Sequence, residues 1–217
     1  SQVRPQDLKV ELDKEIRIAR ARRGGAPLAS YLGWTGYGNL GDEVLFEAHR
    51  ALFPGLEVVP FRPPHPRAAR RVLPALTPDY VLGFLGGGTL INQSPKWRAN
   101  LESLLDRGMP VVCLGSGVAP AAFRPSFEPG TVADWAPTLR RLDFVGVRGP
   151  ESQRLLAEVG VDSVVMGDPV FAVAGELPPP GEESVVGLNI GVSARTIMHG
   201  SPERFLSVMV EAVERLL

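Results

Sequence analysis

The residues of this chain best placed to do chemistry follow short apolar runs at points where glycine is frequent. In the first such loop, residues 33–43, four glycines accompany Asn39, Asp42 and Glu43 between an apolar run and an amphipathic run. This order indicates a strand, a glycine loop and a helix, in which bare backbone approaches a ligand at the helix N-terminus. We therefore predict a binding loop, with a tight turn whose glycines only permit positive φ as the alternative.

Gly36, Gly38 and Gly41 also satisfy the dinucleotide pattern G-x-G-x-x-G. The two acidic residues that follow suit the positive end of a helix dipole, but they would repel a pyrophosphate placed there. The second strand is followed by Arg62, which suits a 2′-phosphate, where an acid that binds ribose hydroxyls would be expected. An NADP-dependent oxidoreductase therefore stays open as an alternative function.

Four further apolar runs are also followed by residues that could bind a ligand, and most of these residues are glycines or carry small polar side chains. Ligands of open parallel sheets bind outside the carboxyl ends of the strands. We therefore expect these residues to outline one crevice together with the first loop. The residues predicted to bind substrate there are Gly36, Gly38, Asn39, Gly87, Gly88, Thr89, Ser116, Gly117 and Arg148.

The elements that must position these residues alternate regularly along the chain. Strands are predicted at 27–32, 56–60, 80–85, 111–114, 144–147 and 163–166, and helices at 7–23, 44–53, 67–76, 97–107, 132–141 and 151–159. Continuous apolar strands between helices are typical of a parallel sheet covered on both faces. The predicted fold class is α/β, with a doubly wound, mostly parallel Rossmann-like sheet.

A proline-rich segment then interrupts the alternation. We predict an N-terminal helix (1–25), a Rossmann-like lobe (26–176), a linker (177–184) and the start of a second lobe (185–217). The last part holds one predicted strand, 185–190, and one helix with Ser201 as its N-cap, which cannot make an independent core. A truncated second lobe is therefore expected, and completion of the first sheet is the alternative.

Composition and charge argue against several classes of function. The net charge of −1 offers no field that recruits nucleic acid. No apolar run approaches the length of a membrane span, and residues 1–23 lack a signal-peptide core, so a cytoplasmic protein without an integral membrane segment is expected. The single cysteine, Cys113, lies in an apolar run and is predicted to be a buried structural thiol. No metal-ligand cluster is visible, so no metal site is predicted.

Five motifs in order resemble those of the polysaccharide pyruvyl transferase family. They are GYGNLGDE, LGGGTL, GSGVAP, VRGPESQRLL with EVGV, and GDPVF, and the resemblance spans residues 28–172. It implies a first lobe similar to that of two-lobed glycosyltransferase B folds. Two departures are present: Gly149 stands where the family often has aspartate, and the family's histidine-containing donor segment in the second lobe has no match.

The resemblance also implies a reaction and its partners. Pyruvate would pass from phosphoenolpyruvate to a saccharide or lipid-linked saccharide as a cyclic ketal, in cell-surface polysaccharide biosynthesis. No cofactor is expected beside this donor substrate, and a homo-oligomer is compatible with the resemblance. A non-catalytic carbohydrate-binding lobe is a further alternative.

Ketal formation needs an acid, a base and cations that hold the donor's carboxylate and phosphate. Asp42 and Asp168 are the candidate catalytic carboxylates, with capping of a helix or a turn as the alternative for each. Arg195 is predicted to bind the anionic donor, since its fork matches carboxylate or phosphate. Trp34 and Tyr37 either offer a flat face to a sugar ring or pack the loop.

Two of the three histidines are expected at the surface, and the third stays open. His49 is expected on the polar, exposed side of a helix, and His65 in an exposed proline-rich loop. His199, in the second lobe, stays open as a donor contact.

Overall fold

The computed structural model describes residues 5–61, 78–120, 131–175 and 202–215. The predicted helix 67–76 and strand 185–190 lie outside these residues, as do Arg62, His65, Arg195, His199 and Ser201. The chain divides into two compact units, residues 1–176 and 177–217. Within the described ranges, no helix is long and apolar enough to cross a membrane.

Among the described residues of the first unit, six strands form one sheet. The strands are β1 (Leu28–Leu32), β2 (Glu57–Pro60), β3 (Tyr80–Leu85), β4 (Val111–Ser116), β5 (Phe144–Val147) and β6 (Val164–Val165). The helices are α1 (Pro5–Gly24), α2 (Leu40–Leu52), α3 (Pro95–Leu105), α4 (Val132–Leu139), α5 (Pro150–Ala157) and a 3-10 helix (Pro169–Ala172), with α6 (Pro202–Glu214) in the second unit. The strand order is β2-β1-β3-β4-β5-β6 and every pair is parallel, which confirms the predicted doubly wound α/β sheet.

Helices begin where the sequence provides a cap. The Asn39 side chain accepts a hydrogen bond from the Gly41 amide at 3.1 Å, so α2 starts at Leu40 rather than at the predicted residue 44. Ser94 accepts from the Lys96 amide at 3.3 Å and starts α3 two residues before the predicted position. The early start of α2 places Asp42 and Glu43 in its first turn, where the helix dipole stabilises negative charge.

Neighbouring residues of the central strands divide between two apolar clusters. Leu32, Leu85 and Cys113 belong to one cluster, and Tyr31, Phe84 and Leu114 to the other. Because side chains alternate along a strand, the clusters lie on opposite faces of the sheet. The first is covered by α3, α4 and α5 and is called the α3–α5 face below; the second is covered by α2 and is called the α2 face.

Cys113 is fully buried on the α3–α5 face, as predicted, and its Sγ donates to the Gly146 carbonyl at 3.4 Å. Burial raises the pKa of this thiol to about 12. The group is therefore protonated at neutral pH, which agrees with a structural rather than a nucleophilic thiol.

Candidate functional site

The loops that follow β3 and β4 are joined by backbone hydrogen bonds at the carboxyl edge of the sheet. The Gly117 amide donates to the Gly88 carbonyl at 2.8 Å, and the Ile91 amide donates to the Gly117 carbonyl at 3.2 Å. A β-carbon at Gly117 would lie 3.1 Å from Thr89 Oγ1. Three predicted site residues, Gly88, Thr89 and Gly117, therefore form one ordered rim.

The glycine loop after β1 is held by side chains of α2. Glu43 Oε1 accepts from the amides of Gly36 and Tyr37, at 2.6 and 3.2 Å. The Gly41 amide is taken by Asn39, and Gly36 and Gly38 have positive φ, at 78° and 75°. Amides that a pyrophosphate would need are thus occupied by the protein, which argues against the dinucleotide alternative.

Several glycines of this edge make room for protein side chains. A β-carbon at Gly86 would lie 2.0 Å from the Tyr31 ring, and one at Gly87 would lie 2.3 Å from Leu45. A β-carbon at Gly36 would lie 1.9 Å from Val10. Packing accounts for these three glycines, and a substrate-binding role for Gly36 and Gly87 stays a prediction.

Asp42 lies half-buried beside the rim. A β-carbon at Gly88 would be 3.0 Å from Asp42 Oδ1, and Gly88 adopts φ +73°. Burial raises the pKa of Asp42, the neighbouring charge of Glu43 raises it further, and the charge of Arg148 opposes both. The structure thereby places Gly88 beside Asp42, within electrostatic reach of Arg148, and the three residues come from three segments of the chain.

Arg148, directly after β5, forms an ion pair with Asp168, with 3.1 Å between Nε and Oδ2. The second Asp168 oxygen, Oδ1, accepts from the Val170 amide at 3.1 Å and caps the 3-10 helix. The capping alternative for Asp168 is therefore present in the structure. With one oxygen in a cap and the other in an ion pair, Asp168 is better suited to orient Arg148 than to accept a proton.

His49 is fully buried, so the prediction of an exposed histidine is wrong. Its ring centroid lies 4.8 Å from that of Tyr31 and 5.5 Å from that of Phe84, and Nδ1 donates to the Leu45 carbonyl at 2.8 Å. Nε2 has no hydrogen-bond partner among the described residues. Burial lowers the pKa of His49, against the opposing effects of the Leu45 and Leu114 carbonyls and of the Asp168 charge. The ring is consequently neutral at neutral pH.

Tyr31 is the polar residue of this region that the sequence analysis missed. It is buried beneath the rim, and burial raises the pKa of its hydroxyl, as do the charges of Asp42 and Glu43. The Gly87 amide binds the hydroxyl and opposes this rise. Tyr31 is therefore a protonated phenol within electrostatic reach of the candidate base. Its position inside a continuous apolar strand gave no signal of a polar role.

Ser116, predicted to bind substrate, is fully buried, and its Oγ has no hydrogen-bond partner among the described residues. Its carbonyl accepts from the Arg148 amide at 3.3 Å, which ties the end of β4 to the segment that carries the arginine. In the described ranges no group of three or more His, Cys, Asp or Glu side chains has the spacing of a metal site.

The family model for polysaccharide pyruvyl transferase matches residues 39–212, which is well over half of the chain. The match begins at Asn39, the cap of α2, and contains Asp42, Arg148 and Asp168. No curated protein and no solved structure matches the chain.

Proposed function

The chain belongs to the polysaccharide pyruvyl transferase family, and we propose that it transfers a pyruvyl group from phosphoenolpyruvate to two hydroxyls of a saccharide in cell-surface polysaccharide biosynthesis. The observation that supports this proposal at the level of residues is the position of Asp42 beside Gly88 at the carboxyl edge of the sheet, within electrostatic reach of Arg148. Ligands of open parallel sheets bind at this edge.

The proposed reaction balances without an oxidant or a cofactor. The methylene carbon of phosphoenolpyruvate gains a proton and becomes a methyl group, and the first sugar hydroxyl adds to the neighbouring carbon. The bond from that carbon to the phosphate oxygen then breaks, and the second hydroxyl adds in its place. Two hydroxyl protons are lost in total; one is balanced by the new methyl group and one by hydrogen phosphate.

Asp42 is the proposed base for a sugar hydroxyl. A carboxylate with a raised pKa accepts a proton more readily near neutral pH than an ordinary aspartate. The missing side chain at Gly88 leaves the space directly beside Oδ1 for the acceptor.

Arg148 is proposed to attract the donor's carboxylate or phosphate, held in orientation by Asp168. A contact with the phosphate would stabilise the leaving group electrostatically, because charge on the phosphate grows as the carbon–oxygen bond breaks. Arg195 stays a predicted donor contact outside the described residues.

The proposal is tested by incubating the protein with phosphoenolpyruvate and a panel of p-nitrophenyl hexosides. We expect inorganic phosphate to be released only when a hexoside is present, together with a new ketal methyl signal in the proton spectrum of the sugar. Phosphate released equally without sugar would contradict transfer, and saccharide binding without phosphate release would favour the non-catalytic lobe.

Replacing the proposed base, in Asp42→Asn, separates catalysis from stability. We expect the rate of phosphate release to fall by about 10²–10⁴-fold, which is the usual worth of a general base. The free energy of unfolding at pH 7 should not fall, because a raised folded pKa means that folding disfavours this carboxylate at neutral pH.

Asp162→Asn is the matched control, since Asp162 is an exposed aspartate that precedes β6 at the opposite edge of the sheet. It should change neither the rate nor the stability. An Asp42→Asn protein with an undiminished rate would exclude Asp42 as the base.

A further inference from the structure

Three aromatic rings at the carboxyl edge are not used by the proposed catalytic groups. The ring centroid of Trp34, on the loop after β1, lies 5.1 Å from that of Tyr37, with 72° between the planes. It also lies 5.5 Å from the ring of Trp97 on α3, with 59° between the planes. Trp34, Tyr37 and Trp97 therefore form one continuous group, called the aromatic cluster below.

The polar atoms of the two indoles are satisfied within the protein. The Nε1 groups of Trp34 and Trp97 both donate to Gln93 Oε1, at 3.3 and 3.1 Å. Because each indole has this single donor, the rest of each ring is carbon surface, part of which packs against the α3–α5 face. Tyr37 is 39% exposed and extends this surface towards solvent.

The aromatic cluster is held in place from both of its sides. On one side, Glu43 accepts from the Tyr37 amide at 3.2 Å. On the other, Asn92 adopts φ +61°, a left-handed conformation that is uncommon outside glycine, and its Nδ2 donates to the Ala119 carbonyl at 2.9 Å. This fixes the loop that presents Gln93. A preorganised surface loses little conformational entropy when a ligand binds.

The surroundings of the aromatic cluster select the class of ligand. The Glu43 carboxylate, which accepts from the Tyr37 amide, lies beside the cluster and disfavours an anionic group there. Thr89 lies on the neighbouring rim, four residues before Gln93, and its hydroxyl can donate or accept. Carbon faces next to neutral and acidic oxygens fit a ligand with C–H groups on one face and hydroxyls around its edge.

We propose that Tyr37, with Trp34 behind it, is a stacking platform for a hexopyranose ring of the acceptor, and that Trp97 and Gln93 fix the tilt of this platform. The proposal rests on the proposed function for the identity of the acceptor. It adds the residues that select a sugar ring and that set its distance from Asp42.

The test uses Tyr37→Ala in the full chain, with Tyr37→Phe as the conservative variant. Methyl β-hexopyranosides are the probe, and tryptophan fluorescence of the aromatic cluster reports binding without any need for turnover. We expect Tyr37→Ala to weaken binding by about three- to tenfold, the usual worth of one aromatic contact, and Tyr37→Phe to stay within about twofold. Phe171→Ala removes another exposed ring, on the 3-10 helix, and should have no effect.

Transfer kinetics distinguish failure of the platform from failure of the proposed function. With a hexoside acceptor, Tyr37→Ala should raise KM for the sugar and leave KM for phosphoenolpyruvate unchanged. Transfer with an unchanged sugar KM overturns the platform and leaves the proposed function standing. Sugar binding that depends on Tyr37, without any transfer, supports the platform and overturns the proposed function. Binding of octyl glycosides or uridine, but not of methyl hexosides, would assign the platform to an alkyl chain or a base and overturn the proposal.

Discussion

The α3–α5 face and the α2 face of the sheet differ in the side chains that they bury. Apart from Trp135, the largest fully buried side chains of the α3–α5 face are aliphatic, among them Leu139 and Leu156. On the α2 face, Phe84 shares this burial with Tyr31 and His49, which carry polar atoms. Tyr31 lies under the rim within electrostatic reach of Asp42, His49 packs against Tyr31, and the other face provides an apolar core.

This difference has an energetic consequence. A buried polar atom without a partner costs roughly 1–3 kcal/mol, and His49 Nε2 is such an atom among the described residues. Aliphatic packing of the same volume would avoid this cost. The α3–α5 face therefore supplies stability, while the α2 face gives up part of it where His49 packs against Tyr31, which lies within electrostatic reach of the proposed base.

The largest expected effect comes from the α3–α5 face. Trp135→Ala removes a side chain that is 2% exposed and should lower the free energy of unfolding by about 3–5 kcal/mol, measured by urea denaturation. Phosphate release per folded molecule should be unchanged, because Trp135 packs against the face away from Asp42. Leu12→Ala, at an exposed position of α1, should stay within about 0.5 kcal/mol. A Trp135→Ala protein with an unchanged free energy of unfolding but a lower rate of phosphate release would contradict the assignment of stability to the α3–α5 face and of the proposed site to the α2 face.

A smaller loss of stability with a larger loss of rate is expected on the α2 face. Gly86→Ala would place a β-carbon 2.0 Å from the Tyr31 ring, and overpacking of this kind costs about 1–3 kcal/mol. The displaced ring and loop should also move Gly88 relative to Asp42, so phosphate release should fall more than in Trp135→Ala.

Gly55→Ala is the matched control for the glycine substitution. No atom lies within 4 Å of a β-carbon at Gly55, so neither the free energy of unfolding nor the rate should fall. If Gly86→Ala and Gly55→Ala behave alike, the close packing of Tyr31 does not constrain the site.

The parallel sheet and the edge at which the candidate residues lie follow from the sequence because they depend on one-dimensional patterns. Continuous apolar runs indicate strands buried on both faces, and parallel strands bring their carboxyl ends to one edge. This suffices to place Asp42, Arg148 and Asp168 near one another. The beginning of α2 is predicted four residues too late, because Asn39 fits a binding loop as well as it fits a helix cap.

The remaining features depend on contacts between elements that are distant in sequence. A glycine that makes room for a ligand looks the same in sequence as Gly86, which makes room for Tyr31. His49 lies four residues after Leu45 and three after Phe46, which is the spacing of residues on one helix face. Because Leu45 and Phe46 are apolar, this spacing predicts that His49 is buried. The flanking Glu47 and Arg50 suggested exposure instead.

The smallest expected effect concerns the dependence of stability on pH, which should be a property of the α2 face. The buried His49 ring is faced by Tyr31 from β1, by Phe84 from β3, by the carbonyls of Leu45 and Leu114, and by the charge of Asp168. Because its folded pKa lies below the ordinary value of about 6.5, the unfolded chain binds a proton first as the pH falls. Stability is therefore complete above this value and declines below it, until the folded ring is also protonated.

His49→Gln is the variant that isolates this contribution, because glutamine is of similar size and does not titrate. At pH 8 the variant should be less stable than the native protein, since it loses the ring contacts with Tyr31 and Phe84. Below about pH 6.5 the difference in the free energy of unfolding between the two proteins should narrow by at most about 1.4 kcal/mol for each pH unit. Urea denaturation at a series of pH values measures this difference. Trp135→Ala should keep the native dependence of stability on pH. The raised pKa of Asp42 acts in the opposite direction, but Asp42 is present in both His49→Gln and the native protein, so its contribution largely cancels from the difference in their stability. A difference that stays constant from pH 8 to pH 5 would mean that His49 is no less basic in the folded chain than in the unfolded one, and the α2 face would then bear no cost for its buried imidazole.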